Sequence, residues 1–63
     1  MTFYGLYNNN IVHAFETKQS RDKWASENHK HAPATTKDPL VRRAITVDRE
    51  NRPAEYGGIH WHK

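Results

Sequence analysis

Three consecutive asparagines, Asn8-Asn9-Asn10, separate two runs rich in aromatic and β-branched residues, Thr2–Tyr7 and Ile11–Glu16. Such runs suit a pleated, half-buried surface. Asparagine tolerates the left-handed backbone that tight turns require. The pattern predicts a β-hairpin. Its register is open between a two-residue and a three-residue turn, and a slip of one residue exchanges the faces. With a two-residue turn, Tyr4, Leu6, Ile11 and Phe15 share one face, and Phe3, Tyr7, Val12 and Ala14 share the other. Both faces are partly apolar, so one is expected to pack on a helix and the other to meet something else. Gly5 leaves room for a neighbouring ring or backbone.

Thr17 has the chemistry of a helix N-cap, and residues 18–28 read as one helix. Trp24 and Ala25, with Ser20, Arg21 and Asn28 around them, form its packed side. Phe15, two residues before the cap, is expected to pack back toward Trp24. Residues 29–37 read as a connector. Asp38-Pro39 signals a second helix start, with Asp as cap and Pro at the first helical position. Leu40, Val41 and Ala44 fit a short helical turn. Ile45 and Val47 alternate with Thr46 and Asp48, which predicts a strand over 44–49. Asn51-Arg52-Pro53 should end it. Gly57-Gly58 marks a turn before Ile59-His60-Trp61-His62, an edge strand or a tail over the core. The expected fold is α+β: an N-terminal hairpin packed on one helix, then a short helical turn and one or two further strands.

Composition limits what such a fold can do. A chain of 63 residues without cysteine buries only about 60% of its extended surface and has no disulfide to help it. One domain spanning 1–63 is expected. Thiol chemistry and cysteine-ligated zinc are excluded. The seven aromatic residues must carry much of the burial, at about 150–250 Å² each. No apolar run is long enough for a membrane span or a signal-peptide core, so a cytoplasmic protein without membrane partners is expected.

The chemistry-bearing residues are few. His29-Lys30-His31 and His60-Trp61-His62 are two His-x-His elements, and imidazoles bind zinc and copper well. His29 and His31 lie in the connector, and no carboxylate is placed to orient the rings. The ordinary reading is therefore surface or cap histidines. Neither a metal nor another cofactor is expected, and a pH-sensitive contact surface is the remaining alternative. His13 reads as a half-exposed hairpin residue without a partner. No carboxylate pair or phosphate-binding glycine motif is present, and one small core leaves little room for a catalytic pocket. The chain is not expected to be an enzyme.

Binding is the better expectation. Trp24 is needed by the core, whereas Trp61 is either a lid or an interface anchor. Tyr4, Tyr7, Arg42, Arg43, Tyr56 and Trp61 are the candidate protein-interface residues, being of types enriched in hot spots. The hairpin edge also allows a homodimer. The formal charge is +3, and Arg42, Arg43, Arg49 and Arg52 form the densest basic stretch. They are the candidate contacts for the alternative, a nucleic acid, although Asp48, Glu50 and Glu55 interrupt them.

The run Val12-His13-Ala14-Phe15-Glu16-Thr17-Lys18, followed by Arg21-Asp22 and Trp24, resembles the start of short phage-encoded accessory proteins. In these a hairpin leads through a Thr-Lys cap into a helix with an Arg-Asp pair. The resemblance covers residues 3–28. It implies a small protein that binds a host enzyme complex and inhibits or redirects it. It carries no catalytic residues with it.

Overall fold

A computed structural model describes residues 1–50 and 57–62. The sequence readings at Asn51-Arg52-Pro53 and Tyr56 fall outside these residues. The described chain is α+β. Its elements run β1 (Phe3–Tyr7), β2 (Ile11–Phe15), α1 (Lys18–Ser26), β3 (His31–Ala34), α2 (Pro39–Arg49) and β4 (Ile59–Trp61). The strands form one sheet in the order β3-β1-β2-β4. β1 is antiparallel to β2 and β3, and β2 is parallel to β4.

The hairpin turn holds three residues. Tyr7 pairs with Ile11, the Asn10 amide donates to the Tyr7 carbonyl, and Asn8 and Asn9 take φ of 54° and 59°. This left-handed pair is the conformation asparagine enters most readily among non-glycine residues. The longer turn overturns the faces of the two-residue reading. Cross-strand partners share a face, so Tyr4, Leu6, Val12 and Ala14 lie together, and Phe3, Gly5, Tyr7, Ile11, His13 and Phe15 lie opposite.

The first of these faces meets α2. Leu6, Val12, Ala14, Val41, Ala44 and Ile59 form the buried core, with Tyr4, Ala34 and Ile45 packed against it. Residues 44–49, read above as a strand, are the second half of α2. Asp38 caps that helix, its Oδ1 accepting from the Leu40 amide at 2.9 Å, and Pro39 follows at the first position. Val41, Ala44, Ile45 and Asp48 recur at helical spacing on its inner side. Burial of that side outweighs the β preference of Ile45, Thr46 and Val47.

The opposite face meets α1. Thr17 caps this helix as the sequence indicated, accepting from the Ser20 amide at 3.1 Å. The helix ends at Ser26, two residues short of the reading above, with Glu27 as its C-cap. Part of the expected connector is β3. Pro33 has no amide to donate, and an edge strand is where a sheet tolerates that. Of the two readings for Ile59–Trp61, the strand is the one adopted.

Candidate functional site: a histidine cluster beneath the first helix

Alternation along the strands sets the site. β2 places His13 on the α1 side, and the parallel pairing of β4 puts His60 beside it. The His62 amide donates to the Ala14 carbonyl at 2.8 Å, which continues this alignment past the strand end. β3 brings His31 next to Tyr7. Trp24 descends from α1 into the middle of these rings.

Gly5 creates the space for that indole. A Cβ built on Gly5 would lie 2.4 Å from Trp24 Cζ3, far inside the 3.5–4.0 Å of ordinary carbon contact. Around the indole, His31 stacks at 3.9 Å and 7°, His13 sits at 4.8 Å and Phe15 at 5.3 Å between ring centroids. His62 stacks on Phe15 at 4.3 Å, and His13 stacks on His60 at 5.0 Å. The layer is therefore built from flat rings, four of them imidazoles.

The hydrogen bonds constrain the protons. His31 Nδ1 lies 2.6 Å from the Trp24 carbonyl oxygen. A carbonyl only accepts, so His31 carries its proton on Nδ1. His13 Nδ1 and His62 Nε2 lie 2.7 Å apart, so one of the two donates and the other accepts. The His13 pKa falls from its ordinary 6.5 to about 4. Burial is the largest cause, followed by the positive charge that His62, His60 and His31 can each carry nearby.

The arrangement suits proton binding better than metal binding. Among the described residues no three His, Asp or Glu side chains are grouped to hold a metal ion. The His13–His62 separation is that of a hydrogen bond. Two nitrogens on one tetrahedral zinc, at about 2.0–2.1 Å from it, stand roughly 3.3 Å apart. His29 is exposed in the preceding loop and takes no part.

The residues proposed from sequence as contacts are scattered. Tyr4 is half-buried against the α2 core, and Tyr7 is half-buried with its ring 5.3 Å from that of His31. They point to opposite faces and form no joint patch. Arg42, Arg43 and Arg49 are exposed on α2. Trp61 is 58% exposed, with its indole N–H donating to Asp48 Oδ1 at 3.2 Å. Tyr56 and Arg52 lie outside the described residues. An open groove of about 420 Å³ runs between the hairpin turn, α2 and β4, lined by Ile11, Leu40, Arg43, Gly58 and His60 among others.

His13, read from the sequence as a half-exposed hairpin residue without a partner, has one in His62, which a local reading of the hairpin does not bring near it. Alternation with Ile11 and Phe15 was its only sequence signal; the face it shares with Phe3, Gly5 and Tyr7 follows from the three-residue turn. Comparison with protein-family models, curated proteins and solved structures gave no match. Among the described residues no helix is long and apolar enough to cross a membrane.

Proposed function

We propose that this chain is a non-catalytic protein-binding module that docks through the seam between α2 and β4. The observation that carries this reading is Trp61. Its large ring is 58% exposed, yet it is fixed on a strand and tied to Asp48. A pre-ordered aromatic loses little entropy on binding and fits the description of an interface anchor. Toward the other end of α2, an open groove is lined by Leu40 and Ile11, 37% and 38% exposed, with Arg43 adding charge beside them. Such a seam suits a partner surface that is apolar at its centre and acidic at its rim. The resemblance of residues 3–28 to phage accessory proteins extends the proposal: the partner is a host enzyme complex that the chain inhibits or redirects.

The test is capture from a bacterial lysate followed by titration of the purified partner. Trp61→Ala and Arg43→Ala should each weaken binding by about 30-fold, the effect of losing a hot spot worth about 2 kcal/mol. Unchanged affinity in both folded variants would refute the seam as the contact. The alternative partner is a nucleic acid. Arg42 and Arg49, exposed and one heptad apart on α2, supply the reason to test it. In that case affinity for duplex or single-stranded DNA falls steeply with salt, and Arg42→Ala flattens the dependence.

A further inference from the structure

The two faces of the sheet are held by different chemistry. Toward α2 the core is entirely apolar, and no buried residue of the described chain is polar or charged. α1 has no fully buried residue, and Trp24 seats its indole over Gly5 of the sheet. The rings beneath that indole are mostly imidazoles, whose flat bodies pack like aromatic carbon when neutral and acquire a charge in acid.

We propose that the histidine cluster is an acid-operated latch: neutral, it holds α1 on the sheet, and on protonation it releases α1 while the α2 layer stays folded. The trigger is the His13–His62 pair. Their 2.7 Å contact holds a single proton between Nδ1 and Nε2. When both rings are cationic each facing nitrogen carries a hydrogen, two donors oppose one another, and the contact breaks. His31 is not the trigger. Its Nδ1–H stays bonded to the Trp24 carbonyl, and a charge on its ring faces the indole π-cloud, a favourable arrangement.

Among the described residues, no carboxylate is hydrogen-bonded to His13 or paired with it as a counter-ion. From β1 the same face carries the Tyr7 phenol; from β3 comes His31; from β4 and the residue after it come His60 and His62. From α1 comes Trp24, with Arg21 a turn away donating to the Tyr4 and Ala34 carbonyls. Arg21 is itself positive, and Asp22 is already paired with it at 2.7 Å. Glu16, Lys18, Lys23 and Glu27 stand exposed around the layer.

The sign follows from the held-down His13. Folded, it resists a proton until about pH 4; released, it accepts one near 6.5. The released state therefore binds more protons between those values, and docking weakens as pH falls through that window. Well above 6.5 both states leave His13 neutral, and docking no longer depends on its proton.

The experiment uses the full chain with Trp61→Phe, which leaves Trp24 as its single tryptophan. Trp24 emission and near-ultraviolet circular dichroism report α1 docking. Methyl resonances of Val41, Ala44 and Ile59 report the α2 layer. Acidification should give a reversible Trp24 transition with its midpoint between pH 6.5 and 4, while the methyl dispersion persists. Adding His62→Gln keeps a hydrogen-bonding partner for His13 but cannot gain a charge. It should lower the midpoint by about half a pH unit or more. A Trp24 signal that stays flat down to pH 4, simultaneous loss of both layers, or a midpoint unmoved by His62→Gln would overturn the latch.

Discussion

Gly5→Ala tests whether the indole really sits on the bare backbone of β1. The φ of Gly5 lies outside the left-handed region, so alanine fits the backbone there. On that ground alone the substitution would stabilise the chain by about 0.4–1 kcal/mol. Packing acts the other way. The new methyl would stand 2.4 Å from Trp24 Cζ3 and 3.0 Å from Cε3, with the Ala32 carbonyl oxygen at 3.3 Å. Ordinary contact needs the ring to retreat by roughly 1–1.5 Å. The retreat disturbs the His31 stack at 3.9 Å and the Phe15 contact at 5.3 Å. Overpacking of this kind costs about 1–3 kcal/mol; set against the backbone gain this spans a net loss of about 0–2.6 kcal/mol, and an approach as close as 2.4 Å to ring carbon puts it at about 1–2 kcal/mol. A domain this small has roughly 3–9 kcal/mol of stability, and the melting temperature should fall by about 5–15 °C. Thermal melts read by circular dichroism measure the loss, and Trp24 emission reports the displaced ring. A Trp24→Leu background removes the collision, so there Gly5→Ala should become neutral or stabilising. An equal cost in both backgrounds, or a wild-type background that gains stability, would refute the placement of the indole.

Four other changes probe the remaining links. Asp38→Ala removes the α2 cap and should cost about 0.5–2 kcal/mol in urea unfolding. Val41→Ala, at a fully buried position, should cost about 2 kcal/mol or more, because two methyl groups are lost and a cavity is left. Trp61→Ala should change the urea midpoint by less than about 1 kcal/mol equivalent, since most of the ring already faces solvent. Stability measured in urea should be flat above pH 6.5 and fall steadily toward pH 4, following His13; a profile flat across that window would contradict the burial of a neutral imidazole.

What the sequence disclosed was local. Thr17, Asp38-Pro39 and the asparagine turn are signals carried by one to three adjacent residues, and each marks an element boundary in the structure. Trp24 was legible as a packing residue because helical spacing puts it on one side with Arg21 and Asn28. Two readings failed where local preference and tertiary burial disagree. Ile45 and Val47 alternate like a strand, but Asp38 starts a helix whose inner side includes Val41, Ala44 and Ile45, and that side decides. β3 was hidden because Ala32, Pro33 and Ala34 lack strand propensity; its pairing with β1 supplies what they do not. The histidine cluster was half visible. His31, His60 and His62 stood out by spacing, but their meeting with His13 depends on the parallel register of β4 on β2, and no neighbouring residues encode a pairing between strands so far apart in the chain.

β4 links the proposed seam to the proposed latch, because adjacent residues of a strand face opposite sides. His60 and His62 belong to the α1 layer, and Ile59 and Trp61 to the α2 side. Release of α1 removes ring contacts from His62 and Trp24 but takes nothing from Ile59, which is 5% exposed among Val12, Val41 and Ala44. The strand therefore keeps its anchor, and Trp61 keeps its bond to Asp48. Acid should thus uncover Phe15 and the Gly5 backbone on one face without dismantling the seam on the other. Replacing Ile59 by alanine should couple the two faces: β4 would lose its buried side chain, and acid would then loosen Trp61 together with Trp24, seen as a shift of the Trp61 indole N–H resonance at the same pH midpoint as that of Trp24.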